Sequence, residues 1–265
     1  MGRFSKAFEK HDRAIDLNQE ESSETPRVII DHAPLPIVQS DPDPKIFTIH
    51  APDSFDAELF KVLRTQILFP KDGNKRRSII ITSSFPSEGK SFVSANIAAS
   101  IARGINDHVL LIDADLRRPK LHTMFGYSRV QGLNEYLTDQ KNLDELIIRT
   151  QFDKLSLLPA GGESKNATEL LSSNKMKEFL KEVKDRYKDR LIIIDSAPVQ
   201  ATSEASVLSN YVDGTILVVR NQKTPREGVL ETVETLGRKN ILGVVLNGCS
   251  KSMKKYGKYY GNYYK

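Results

Sequence analysis

One stretch constrains this chain more than any other: Ile79-Ile80-Ile81-Thr82-Ser83-Ser84-Phe85-Pro86-Ser87-Glu88-Gly89-Lys90-Ser91. An apolar β-branched run stops at a polar loop, the loop closes on Gly-Lys-Ser, and a helix-like pattern follows from Phe92 to Arg103. Strand, loop and helix in that order are the layout of a phosphate-binding loop. Backbone N–H groups of such a loop point inward and cradle phosphate oxygens, and the helix N-terminus adds its positive dipole end. Lys90 is then expected to reach the β- and γ-phosphates, and Ser91 to hold Mg²⁺ through its hydroxyl. Ser84, Pro86, Ser87, Glu88, Gly89 and Phe92 complete the expected nucleotide contacts. The pattern G-x-x-x-x-G-K-[ST] is met except at its first glycine, where Ser84 stands. The competing reading is a βα turn that happens to hold Gly-Lys-Ser.

The 265 residues suit one large domain with tails. No apolar run approaches the roughly 18 residues of a membrane span, and the N-terminus lacks the apolar region of a secretory signal, so a cytoplasmic protein is expected. Cys249 is the single cysteine, which excludes an intrachain disulfide and a cysteine metal cluster. It is expected to be a small buried hydrophobe. The net charge of +5 sits at one end: Lys251, Lys254, Lys255, Lys258 and Lys265 fall in the last fifteen residues with no acid among them. The rest of the chain is balanced, so no domain-wide nucleic-acid footprint is indicated.

In chain order, residues 1–20 carry a weak helical stripe of Phe4, Phe8, His11 and Ile15. Six of the twelve prolines fall between Pro26 and Pro52, and residues 1–52 are expected to be a flexible, linker-like segment. A helix is expected from Ser54 as N-cap to Pro70, with Phe55, Leu59, Leu63 and Ile67 as its buried stripe. Strands are expected at 78–83, 108–113, 155–159, 190–195, 214–220 and 241–247. Helices are expected near 92–103, 142–149, 174–187, 203–209 and 225–238. The strands are Ile/Val/Leu-rich and hardly alternate, as strands covered on both faces do. The alternation of strand and helix argues for an α/β fold with a doubly wound, mostly parallel sheet flanked by helices. Ligands of such sheets bind beyond the carboxyl ends of the strands.

Acidic residues stand at those ends. The second strand runs Val109-Leu110-Leu111-Ile112-Asp113-Ala114-Asp115-Leu116-Arg117, and a later one Leu191-Ile192-Ile193-Ile194-Asp195-Ser196-Ala197-Pro198. Four apolar residues closing on Asp are the Walker B layout, whose carboxylate orders the Mg²⁺ shell. A strand ending in Asp is also a common turn starter; the phosphate loop in the same chain favours the metal reading.

Over about residues 54–265 these motifs resemble the bacterial tyrosine kinases of capsule and exopolysaccharide systems, built on the P-loop NTPase fold that MinD and ParA proteins share. Thr82 to Ser91 looks like that family's Walker A, in which Ser or Ala often replaces the first glycine. Ile112 to Arg117 looks like its second acidic motif, and Leu191 to Pro198 like its Walker B. Leu158-Pro159-Ala160-Gly161 and Glu169-Leu170-Leu171 resemble a further shared segment. MinD and ParA proteins carry a signature lysine where this chain has Phe85. The kinases end in a tyrosine cluster, and here Tyr256, Tyr259, Tyr260, Tyr263 and Tyr264 hold five of the nine tyrosines. The family's interface helix carries Glu-x-x-Arg-x-x-Arg; this chain has Glu58, Lys61 and Arg64, and Lys61 keeps the charge without the bidentate geometry.

The resemblance implies a protein-tyrosine autokinase (residues 53–250) with an interface helix at 53–69 and a Tyr/Lys-rich autophosphorylation tail at 251–265. ATP and Mg²⁺ are the implied ligands. Lys90, Asp113 and Asp115 are the implied catalytic groups, with Asp113 the candidate to accept the phenolic proton and the division of roles between Asp113 and Asp115 left open. Ser91, Asp115 and Asp195 would organise the metal, and Asn247, which ends the last expected strand, would contact adenine. A ring-like homo-oligomer, a separate transmembrane co-polymerase or adaptor, a cognate tyrosine phosphatase and recruitment to the inner membrane face complete the expectation. The alternative is a MinD- or ParA-like ATPase cycling on a membrane or DNA.

Overall fold

The structure is a computed structural model, which describes residues 40–128 and 130–249. The stripe at Phe4 to Ile15, the prolines up to Pro36 and the tail tyrosines lie outside the described residues. In chain order the elements are α1 (Phe47–His50), α2 (Phe55–Leu68), β1 (Ser78–Ser83), α3 (Lys90–Ala102), β2 (His108–Asp113), α4 (Leu121–Met124), α5 (Leu133–Leu137), α6 (Leu143–Leu146), β3 (Ile148–Arg149), β4 (Leu155–Leu158), α7 (Ala167–Leu171), α8 (Asn174–Arg186), β5 (Arg190–Asp195), α9 (Glu204–Ser209), β6 (Thr215–Arg220), α10 (Arg226–Leu236), a 3₁₀ turn (Arg238–Asn240) and β7 (Ile241–Asn247). No helix of the described residues is long and apolar enough to cross a membrane.

The seven strands form one sheet in the order β3-β4-β2-β5-β1-β6-β7, with every pair parallel except β3 against β4. The six long strands stand where the sequence puts them. β3 is a correction: residues 142–149 were expected to be helical, but the helix stops at Leu146 and Ile148–Arg149 adds a short antiparallel edge. Two-residue strands carry too little pattern to be read.

β1 lies between β5 and β6, and β5 separates it from β2. The chain therefore leaves β1 toward one edge and leaves β5 toward the other. This is the switch point at which doubly wound sheets open a crevice. β1 is buried along its whole length, as a strand between two helical layers must be. β7 departs from that rule. It is an edge strand whose alternate residues Leu242, Val244 and Leu246 are exposed, because no described helix follows it to cover that face. Cys249, expected to be buried, is exposed just beyond it.

α3 has every residue but Phe92 buried, with the polar Lys90, Ser91, Ser94, Asn96 and Ser100 among them, so it is covered on all sides. The sheet covers one side; α1 and α2 cover the other. Phe92 meets Phe47 and Phe60 edge-on, with ring centroids 6.0 and 5.7 Å apart. Here the linker expectation fails for residues 40–52. Ile46 and Thr48 are buried, and Asn96 of α3 binds this segment through its side chain. Its Oδ1 accepts the N–H of Thr48 at 3.3 Å, and its Nδ2 donates to the Lys45 carbonyl at 3.1 Å. Pro44 and Pro52 lie in turns on either side of α1, and tertiary hydrogen bonds decide the segment's place.

α2 begins where expected, with the Ser54 hydroxyl accepting the Ala57 N–H at 3.2 Å. Its buried face differs. Ala57, Phe60 and Ile67 point inward, whereas Leu59 is 52% exposed and Val62 is 48% exposed. Both faces of this helix carry apolar residues, so periodicity alone does not select one. The small Ala57 lets α2 approach α3 closely.

Asn96 makes a local test of this packing. Asn96→Ala strands buried polar groups on both partners, each worth about 1–3 kcal/mol. Urea unfolding is expected to show a loss of about 2–3 kcal/mol with an unchanged slope; a loss near zero would return residues 40–52 to the status of a linker.

Candidate active site

Register builds the site. Asp113 of β2 pairs directly with Asp195 of β5, and Ile81 of β1 pairs with the same Asp195. The tips of three neighbouring strands are thus level, within two strand spacings of about 4.8 Å. The phosphate loop leaves β1 at this level. Gly89 caps α3 with φ of 100°, and Ser87 before it has φ of 64°. Both are left-handed conformations, which Gly89 adopts without a Cβ penalty. The first amides of the 13-residue α3 have no partner inside the helix and present an anion-binding end.

Lys90 lies in the centre. Its Nζ is 2.7 Å from Asp115 Oδ2, 3.9 Å from Asp195 Oδ2 and 3.4 Å from Ser91 Oγ. All four groups are buried. Burial alone would lower the Lys90 pKa, but Asp195 and Asp115 outweigh it and hold the ammonium above its ordinary value. Burial pushes the Asp195 carboxyl up, against Lys90 and Ser91, which pull it down. The Ser94 hydroxyl lies 3.0 Å from Asp195 Oδ1, while Oδ2 is buried with no hydrogen-bond partner. An orphaned carboxylate oxygen beside a serine hydroxyl and a second carboxylate fits a divalent cation. Mg²⁺ commonly takes one or two protein carboxylates and completes its shell with phosphate oxygens and water.

Asp113 is placed differently from the other acids. It is fully buried. Its Oδ1 accepts the Asp115 N–H at 3.2 Å, and its Oδ2 accepts those of Lys120 and Leu121, each at 3.0 Å. Burial and the facing Asp195 push its carboxyl up to about 7. The raised value suits proton acceptance, but three of its roughly four acceptor positions are already filled. Its visible work is to hold the loop that carries Asp115.

Several expected contacts are redirected. The Phe92 side chain packs on Phe47 and Phe60, so only its backbone, in the first turn of α3, belongs to the loop. Ser84 is fully buried, with its hydroxyl 2.9 Å from that of Thr232. Pro86 and Ser87 are exposed on the loop. Asn247 comes to the loop as expected, but its Nδ2 donates to the Glu88 carbonyl at 2.8 Å. Sequence reasoning missed Glu204, whose buried carboxylate accepts Arg117 Nε at 2.8 Å and bonds the Thr168 hydroxyl at 3.1 Å. A glutamate in the first turn of a short helix carries no signal of that role. On α2, Lys61 pairs with Glu58 at 2.5 Å, and Arg64 Nη1 donates to the Ser100 carbonyl at 2.7 Å.

The comparisons with known proteins bear on this geometry. A family model described as an AAA domain matches residues 77–241. The tyrosine-protein kinase YwqD of Bacillus subtilis (strain 168) is 34% identical over 216 residues, which cover 81% of this chain and 89% of that protein. The chain belongs to the bacterial tyrosine-protein kinases. The solved kinase domain of the Escherichia coli tyrosine kinase Etk matches with a TM-score of 0.73 at 30% identity, covering 81% of this chain and 88% of that one. Longer members, such as the Acinetobacter johnsonii tyrosine-protein kinase Ptk, are spanned over about 30% of their length. MinD of Pyrococcus horikoshii, solved with Mg-ADP, matches at 23% identity and a TM-score of 0.54 and shares the fold. As a member of this kinase family the chain has a P-loop nucleotide site, and the sheet is the P-loop NTPase fold that its sequence led one to expect.

The packing of Asp113 separates two roles by experiment. Asp113→Asn is expected to weaken Mg·ADP binding at least fivefold along with activity, because the amide cannot accept all three N–H groups as well. Calorimetric titration checks this; unchanged binding with lost activity would instead assign Asp113 to proton acceptance alone.

Proposed function

We propose that this chain is an ATP-dependent protein-tyrosine autokinase whose acceptors are the tail tyrosines of a neighbouring subunit. The observation that carries the reading is the single ammonium of Lys90 set among Asp115, Asp195 and Ser91 at the phosphate loop. Phosphoryl transfer asks little covalent chemistry of a protein and depends on positioning and electrostatics. Lys90 leaves Asp115 to neutralise charge developing on the transferring group. Ser91, Asp115 and Asp195 would hold Mg²⁺, which would supply charge neutralisation for the transferring phosphoryl group. Asp113 fixes the Asp115 loop and offers its remaining Oδ1 position to the phenolic proton. Asn247 and the loop about it border the nucleotide.

Phe85 favours the kinase over the ATPase reading. At the signature-lysine place it packs against Gly228 of its own α10, where an added Cβ would come within 2.5 Å of the ring. An apolar ring in that seat supplies no charge to a partner's phosphates.

The acceptors are Tyr256, Tyr259, Tyr260, Tyr263 and Tyr264. A tethered tail gives a high effective concentration without a tight pocket. Each phosphate adds about −1.5 to −2 charge, so full modification overturns the five tail lysines. Glu58, Lys61 and Arg64 with the exposed Leu59 and Val62 form the proposed ring interface. Relatives named for EpsB and for a cps region support a polysaccharide role, with a transmembrane co-polymerase that recruits the chain to the inner membrane face and a phosphatase that resets it.

Mixing two full-length variants tests the proposal. The donor has all five tail tyrosines changed to Phe; the acceptor is Lys90→Met with its tail intact. With Mg·ATP and the cytoplasmic segment of the co-polymerase, phosphotyrosine is expected on the acceptor's tail by mass spectrometry. Modification of wild type but never of the acceptor in the mixture would overturn transfer between subunits.

A further inference from the structure

The phosphate loop is gripped from outside by side chains that the nucleotide does not need. The buried Glu88 carboxylate accepts the Phe85 N–H through Oε2 at 2.9 Å and the Thr224 hydroxyl through Oε1. Thr224 Oγ1 in turn accepts the Arg220 N–H at 2.9 Å, which ties it to the end of β6. Asn247, the last residue of β7, holds the Glu88 carbonyl, and a Cβ on Gly89 would meet its Nδ2 at 2.0 Å. At the loop's entry the Ser84 hydroxyl meets the fully buried Thr232 of α10, and the Phe85 ring fills the notch left by Gly228 one turn earlier.

These contacts take hold of both ends of the loop. Between them, Ser87 is in the left-handed region, which costs a non-glycine residue roughly 1–2 kcal/mol. A loop left free would spend much of its time in other conformations, and binding would have to restore this one. Holding a site in its bound shape beforehand raises affinity by removing that ordering cost. A carboxylate is suited to the task because its hydrogen bonds to N–H and hydroxyl are charge-assisted.

We propose that Glu88, Thr224 and Thr232 are positioning residues that clamp the phosphate loop in its binding conformation from the β6–α10 side. Glu88, expected from its place in the motif to contact nucleotide, acts instead on the loop's own backbone. Ser84 in the first glycine position has a use here, since its hydroxyl is what Thr232 holds. The inference rests on the reading of this loop as an ATP site.

The test uses the full chain and the fluorescent probe MANT-ADP with Mg²⁺. Thr224→Val keeps the shape and deletes the hydroxyl, and Glu88→Gln exchanges an acceptor oxygen for an amide. Each is expected to weaken the probe about tenfold, the effect of roughly one lost hydrogen bond, mainly through faster dissociation. KM for ATP rises in step while kcat stays within about twofold, and Thr224→Ser restores wild-type values. Ligand-free melting temperatures of Thr224→Val and Thr224→Ser are expected to agree. Wild-type affinity in both Thr224→Val and Glu88→Gln overturns the clamp, as does a ligand-free melting loss large enough to account for the weaker binding. If wild type fails to bind the probe and Lys90→Met is no different, the ATP reading itself fails and the clamp with it.

Discussion

The level register of β1, β5 and β2 is the constraint on which everything else depends. Parallel pairing of Asp113 with Asp195 puts two carboxylates on adjacent strands at one height, and the phosphate loop leaves β1 beside them. Like charges so placed repel and lose hydration, so the arrangement persists only with compensation. Lys90 supplies part of it from the start of α3, and the N–H groups that fill Asp113 supply more. A one-residue slip in any of these strands would turn its acid to the opposite face of the sheet. The unbroken Ile and Leu runs before each acid anchor the strands in the core, since each fully buried side chain contributes about 1.5–3 kcal/mol, while the pairing of the strand tips sets the height of the acids.

Around that centre the fold is layered by need. α3 lies flat on the sheet and is buried at every residue but Phe92. It therefore requires an outer cover, and α1 and α2 provide it. This joins the helix proposed for subunit contact to the helix that carries Lys90: Arg64 of α2 bonds the Ser100 carbonyl near the end of α3. The proposed assembly face and the phosphate loop are thus joined through α3.

Much of this was legible in the sequence. Long β-branched runs closing on Asp gave the strands and the acidic tips, because burial on both faces leaves a continuous apolar signal. Ser54 marked the start of α2, because its cap is local. What was not legible depends on partners far along the chain. The inward face of α2 could not be chosen while Leu59 and Phe60 were both candidates. The packing of residues 45–48 required Asn96, some fifty positions away. The grip of Thr224 and Thr232 on the loop spans 136 and 148 positions, and a threonine in a loop or helix carries no mark of such a task. Glu88 stands in the motif among the loop residues, and nothing in the sequence marks its carboxylate as the partner of Phe85 and Thr224.

On the proposed function, phosphoryl groups leave this site for tyrosine rather than for water. The direct measurement is a ledger of radiolabelled γ-phosphate from Mg·ATP, counted as phosphotyrosine and as free phosphate over the first turnovers. Label is expected to enter phosphotyrosine early, faster than free phosphate appears, and Lys90→Met is expected to abolish it. Steady release of free phosphate with no phosphotyrosine, with or without the co-polymerase segment, would contradict the proposed function.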